Sequence, residues 1–169
     1  MATTAEIWVD AFGRIREEVH AAVEGLRDEQ LSSRPGPDAN SIGWLVWHLT
    51  RIQDDHIADV AGVEQVYTAQ GWDDRLGLPF SAADTGYGHG TSAVAAVQGI
   101  SAKDLLGYHD AAYEQTLGYV RTLADADLDR VVDERWDPPV TLAVRLISVV
   151  SDDLQHVGQA AFVRGLIGG

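Results

Sequence analysis

The chain has 169 residues, 26 of them acidic and 12 basic, for a formal net charge of −14, and it contains no cysteine. One domain spanning 1–169 accounts for that length, with a core that needs neither disulfide nor structural metal; a disulfide framework and a cysteine zinc site are excluded, and any nucleophilic thiol must come from outside the chain. The acidic excess argues against nucleic acid or anionic membrane as a partner, and the start Met1-Ala2-Thr3-Thr4, with no charged-then-apolar leader, together with the lack of a bilayer-length apolar run, gives the expectation of a soluble, cytoplasmic protein.

Helical periodicity dominates along the chain. Ile7, Trp8, Ala11, Ile15, Val19, Ala22, Val23 and Leu26 recur at three- and four-residue steps, which predicts an amphipathic helix over 4–26 that ends at Gly25 and the polar residues after it. The run Ser32-Ser33-Arg34-Pro35-Gly36-Pro37 marks 27–39 as a turn-rich connector. Asn40 or Ser41 then caps a second helix to about Ala61, closed by Gly62, with Leu45, His48, Leu49, Ile52 and His56 on one broad face. Residues 63–100 are irregular, with Gly71, Gly77-Leu78-Pro79 and the glycine-rich run from Asp84 to Gly90. Ser101 and Asp104 form a cap for a third helix that continues to Leu123. Asp137-Pro138-Pro139 interrupts the chain, and Thr141 caps a fourth helix to about Ile167. With no convincing strand run and no internal repeat, the fold class is all-α: a four-helix bundle whose long middle segment crosses the bundle as one overhand connection.

Two of these helices carry the chemistry. His48 lies on an otherwise apolar face, and Asp152 and His156 are four residues apart, so they project side by side. If the second and fourth helices pack together, the three supply two nitrogens and one oxygen to a divalent metal and leave a coordination position open, the arrangement of a catalytic site. The same residues also fit a hydrogen-bonded core histidine and an ordinary helix pair. Asp153, three residues before His156, competes with Asp152 for the ligand role, because both lie on apolar stripes: Val149, Ala160 and Val163 for Asp152, and Leu146, Val150, Val157 and Ala161 for Asp153.

The run Asn40-Ser41-Ile42-Gly43-Trp44-Leu45-Val46-Trp47-His48-Leu49, with Asp152-x-x-x-His156, Gly158-Gln159 and Arg164-Gly165-Leu166, resembles the DinB-like superfamily of metal-binding four-helix proteins and is similar in particular to the actinobacterial mycothiol S-transferases. The resemblance covers the whole chain. It implies a divalent metal held by His48, Asp152 and His156, and transfer of a low-molecular-weight thiol, mycothiol as co-substrate, to an electrophilic small molecule. Many members of the family have histidine at all three ligand positions, and related isomerases have a longer acidic side chain where this chain has Asp152. Family matching selects Asp152 over Asp153, which is left as an outer partner or a helix-surface residue. Zinc suits the sulfur of a thiol best, and the mixed nitrogen and oxygen set also accepts nickel, manganese or iron. The expected function is therefore a metal-dependent thiol S-transferase. The alternatives are a metal-assisted hydrolase using a metal-bound water, and a non-catalytic, stress-associated metal-binding protein if a further ligand such as His56 closes the open position.

Smaller expectations attach to other residues. His56 either lines the metal cavity or is a helix-end histidine beside Asp55. Tyr87 and His89 could form a lid from the glycine-rich loop. Trp44 and Trp47 read as packing or interface residues, His20 and His109 as surface positions, and Arg51 and Arg164 as anion-binding or salt-bridged. A homodimer is compatible with the family, with Trp8 and Trp72 as exposed residues that could serve it.

Overall fold

The computed structural model describes residues 2–168. Its long helices are α1 (Thr4–Val23), α3 (Ile42–Ala61), α7 (Ala102–Val120) and α8 (Leu142–Ile167). The short helices are α2 (Asp28–Ser32), α4 (Val66–Ala69), α5 (Trp72–Leu76) and α6 (Thr91–Ala95). The predicted caps are in place. Ser41 accepts from the Trp44 N–H at 3.2 Å, Ser101 from that of Asp104 at 3.0 Å, and α3 ends at Gly62 with φ 68°. Thr3 and Glu6 exchange side-chain and backbone hydrogen bonds in a capping box at the start of α1.

The long helices form a four-helix bundle in which α1 neighbours α7 and α8, and α3 neighbours the same two. Direction follows from the contacts. His48 meets His156 while His56 meets Arg145, so α3 and α8 are antiparallel. Thr50 meets His109 and Gln53 meets Thr116, so α3 and α7 are parallel, and the segment between them must cross the length of the bundle, as the connector lengths imply. That crossover carries α4, α5 and α6 and lies over α3, which explains why α3 is buried on all sides from Ile42 to Asp54.

Three details depart from the sequence reading. Within the 27–39 connector, α2 forms because Leu31 is buried and Gln30 accepts from the Arg27 N–H. Its carbonyl at Leu31 comes so near α3 that a Cβ on Gly43 would stand 3.1 Å from it. A strand pair is also present: β1 (Val131–Asp133) runs antiparallel to β2 (Val140–Thr141) across the Pro138-Pro139 turn. It is too short to leave an alternating signature. Trp8 and Trp72, expected at the surface, are buried at 7% and 8% exposure; Trp72 fits against the bare face of Gly107, where a Cβ would stand 2.7 Å from the indole. Among the described residues, no helix is long and apolar enough to cross a membrane.

Candidate metal centre

The register of α3 against α8 brings His48, Asp152 and His156 together, with one ligand atom from each lying within 4.8 Å of the others. His48 and His156 meet edge to face, ring centroids 4.6 Å apart. Each ring is oriented by a carbonyl. His48 Nδ1 lies 2.6 Å from the Thr85 carbonyl oxygen, and His156 Nδ1 lies 2.8 Å from that of Asp152, one helical turn before it. A carbonyl only accepts, so each Nδ1 carries a proton, and in the neutral ring each Nε2 presents its lone pair, as a metal-binding imidazole requires. Asp152 Oδ2 is buried and, among the described residues, has no hydrogen-bond partner; His156 Nδ1 is 3.3 Å away but is directed at the backbone carbonyl. An orphaned carboxylate oxygen beside two free imidazole nitrogens fits a divalent cation.

Electrostatics separate the two histidines. Burial pushes the His48 pKa down, opposed by the Thr85 hydrogen bond, so the ring is neutral and ready to ligate. The Asp152 carboxylate, 3.3 Å from His156 Nδ1, pushes the pKa of His156 up, and burial opposes it. Asp153 differs from its neighbour in kind. It is fully buried with neither carboxylate oxygen hydrogen-bonded among the described residues, on the same inward stripe as Leu146, Val149, Val157 and Ala160. Burial, then the adjacent Asp152, pushes its carboxyl well above the usual range, so it is neither a helix-surface residue nor a hydrogen-bonded outer partner of His156.

Around the triad stands a shell that the sequence reading missed. Trp44 stacks on His48, centroids 4.8 Å apart and planes 13° from parallel. Its indole N–H donates to His89 Nδ1 at 3.2 Å, and His89 Nε2 lies 3.1 Å from Asp84 Oδ2. His89 is therefore packed behind Trp44, also against Trp47 and Phe80, while the Tyr87 side chain is 89% exposed. Gly86 passes the back of His48 so closely that a Cβ would come within 2.8 Å of Nδ1. The loop that supplies Thr85 is pinned by Arg51, a fully buried residue that donates to the Ala82 and Asp84 carbonyls at 2.9 and 3.1 Å, to Gln65 at 2.7 Å and to Tyr108 at 3.2 Å. Its guanidinium also lies over the Tyr67 ring, 4.1 Å from the centroid, and 3.7 Å from Asp54. Arg51 is thus an internal tie and Arg164 a cap, donating to the Ala21 and Glu24 carbonyls at the end of α1.

The other histidines lie apart from the triad. His56, two turns along α3, accepts from Arg145 at 2.5 Å. His20 is half-buried against Asp110. His109, expected at the surface, is fully buried: Thr50 Oγ1 gives its proton to the Val46 carbonyl and so accepts from His109 Nδ1. Its polar neighbours in sequence concealed that α7 turns this residue toward α3.

Among solved structures, the crystal structure of a conserved protein from Enterococcus faecalis matches with a TM-score of 0.91 at 25% identity, over 100% of this chain and 100% of that one. No curated protein shows significant sequence similarity to the chain. The model of the Mycothiol-S-transferase (MST) family matches residues 8–169, from α1 through all four bundle helices. With the DinB-like helical fold and both ligand-bearing helices inside that match, the chain belongs to the mycothiol-S-transferase family.

Proposed function

We propose that the protein is a metal-dependent S-transferase that conjugates mycothiol to electrophilic small molecules. The observation that carries this reading is the convergence of His48, Asp152 and His156 on one point, within a chain of this family. Bound there, a divalent ion, zinc foremost and nickel, manganese or iron by the same donor set, would supply the Lewis acidity that makes a thiol a thiolate at neutral pH.

The protein's own part is positioning. The Thr85 and Asp152 carbonyls lock both imidazole tautomers, and Trp44 fixes the plane of His48 and keeps water from its face. No side chain of this cysteine-free protein can itself form the S–C bond. The sulfur must come from the co-substrate, which forms a thioether with the electrophilic carbon as the leaving group departs with the bonding pair. Holding the ion would commit His48 and His156 as neutral ligands, and the thiol proton would then pass to solvent. A fluorescence assay with metal-loaded protein, mycothiol and a bimane electrophile tests this reading. Product formation should require both metal and mycothiol, and glutathione should substitute poorly. No acceleration over the uncatalysed reaction across a panel of electrophiles would refute the transferase reading, and turnover without thiol would point to hydrolysis.

A further inference from the structure

The triad stands where α3 meets α8, between two cavities. Leu45, His48 and His56 fall within about 80° of the circumference of α3, and Arg145, Ser148, Asp152, His156, Phe162 and Val163 within about 120° of that of α8, by the helical period. A cavity opens on either side along this face, and the two differ in chemistry.

Toward the end of α3, a cavity of about 290 Å³ is bounded by His56, Arg145 and Ser148 and, from the β1–β2 turn, by Asp133, Arg135 and Trp136. Arg145 donates to His56 Nδ1 at 2.5 Å and to Asp133 Oδ2 at 3.3 Å, and Arg135 closes on the same carboxylate at 2.8 Å. His56 Nδ1 therefore accepts, and its Nε2 carries a proton to donate. Burial and the Arg145 charge both hold His56 neutral. Asp133 is saturated by the two guanidinium groups, so the groups left for a ligand are the imidazole N–H, the Ser148 hydroxyl and the indole face of Trp136, which is 65% exposed. Arg135 and Arg145 are outnumbered by Asp133 and Asp59 together with Asp55 and Asp152, which also act on His56, so the cavity offers no net positive charge. An anion gains little here. A neutral ring bearing several hydroxyls uses the donors, and its C–H face packs on the indole.

Toward the start of α3, a cavity of about 340 Å³ is walled mainly by apolar groups, Leu45, Phe162, Val163, Leu166, Pro35 and Ala39. Phe162 is 69% exposed at its rim. Both cavities have volumes near the lower bound for small-molecule sites.

We infer that the polar cavity lined by His56, Arg145 and Trp136 holds the hydroxyl-rich body of the thiol co-substrate, and that the apolar cavity at Phe162 holds the electrophile. This rests on the transferase reading. Mycothiol is a cysteinyl pseudodisaccharide, and one helical turn, about 6 Å, separates Ser148 from Asp152 along α8, a span the cysteinyl arm bridges to bring its sulfur to the triad.

The test uses metal-loaded protein and two rim variants, Trp136→Ala and Phe162→Ala, whose side chains are too exposed for the fold to depend on them. Calorimetric titration with cysteine-free glucosaminyl-inositol should show binding to the parent and to F162A, and at least tenfold weaker binding to W136A. In steady state, W136A should raise the KM for mycothiol about tenfold and leave that for the bimane electrophile unchanged, with the opposite pattern for F162A. No binding of the pseudodisaccharide to the parent at millimolar concentration, or equal binding to parent and W136A, overturns the assignment. Binding of the pseudodisaccharide as stated with no conjugation would retain the polar cavity as a sugar site and refute the transferase function instead.

Discussion

A methyl group added at Gly86 tests how tightly the loop holds His48. Gly86 has φ +87°, and a Cβ there would stand 2.8 Å from His48 Nδ1 and 3.0 Å from the Trp47 ring, contacts that cannot persist. Gly86→Ala therefore carries two costs. A left-handed alanine costs about 1–2 kcal/mol, and moving the imidazole off the Thr85 carbonyl forfeits a net hydrogen bond of about 0.5–1.5 kcal/mol, giving about 1.5–3.5 kcal/mol in all. Gly88 separates the two terms: its φ is +79°, but nothing lies within 4 Å of its Cβ position, so Gly88→Ala carries the backbone cost alone. Zinc affinity, measured against a chromophoric competitor, should fall about ten- to a hundredfold in G86A, as when the partner that orients a ligating histidine is lost, and should be unchanged in G88A. Thermal unfolding of the metal-free proteins should rank the parent above G88A and G88A above G86A. Equal metal affinity in G86A and G88A would show that the loop does not position His48 and would refute the reasoning.

Other expectations follow from the same geometry. His48→Ala and His156→Ala should each abolish metal retention, read by elemental analysis, while circular dichroism stays helical, because the apolar core is large enough to fold without the ion; wild-type metal content in either would remove the site. Asp152→Asn should weaken metal binding sharply, whereas Asp153→Asn should leave it within tenfold and leave thermal stability equal or higher, since burial penalises the carboxylate and an amide brings no charge into the core; the reverse ranking in a metal titration would move the ligand to Asp153. For His109, burial lowers the pKa from 6.5 to about 4, so the unfolded chain takes up a proton near pH 6.5 that the native state refuses until about pH 4. Its contribution to stability is intact above pH 6.5 and is lost as pH falls toward 4, by about 3 kcal/mol for 2.5 units. Denaturant titrations of His109→Gln should show a shallower decline over that window, and parallel curves for parent and variant would contradict the assignment.

The bundle was legible because its signals are local. Ser41, Gly62, Ser101 and Thr141 act on the backbone within one turn of themselves, and the crossover is long enough to let α3 and α7 run parallel, the orientation their contacts show. What the sequence hid depends on elements distant in the chain. His109 follows Tyr108 and precedes Asp110, a polar setting, yet α7 presents it to Thr50 of α3. Trp8 and Trp72 are large enough to read as interface residues, and only the packing of the crossover against Gly107 shows that Trp72 is covered. Arg51 carries no mark distinguishing a surface arginine from the tie that holds Ala82 and Asp84. The pairing follows from the crossover's path over α3, and that path has no periodicity to read.

The choice between Asp152 and Asp153 shows how fine the decision is. One residue on a helix is a rotation of about 100°, and here it separates a half-buried position facing α3 from a fully buried one in the core stripe. Neighbouring apolar residues flank both, so periodicity could not rank them. Asp152 is shorter than the acidic side chain of related isomerases, yet reach is not limiting. Side chains on a helix lean toward its N-terminus, so His156 tilts back over the turn that begins at Asp152 and rests its Nδ1 on that residue's own carbonyl. The carboxylate then needs to span only its own side chain to meet the imidazole, and His48 closes the set from α3, its ring 4.6 Å from that of His156. A longer acid at 152 would have to fold back on itself to reach the same point. Asp152→Glu should accordingly weaken metal binding while retaining the charge, and a metal titration in which the glutamate variant matches or exceeds the parent would show that the present spacing is loose.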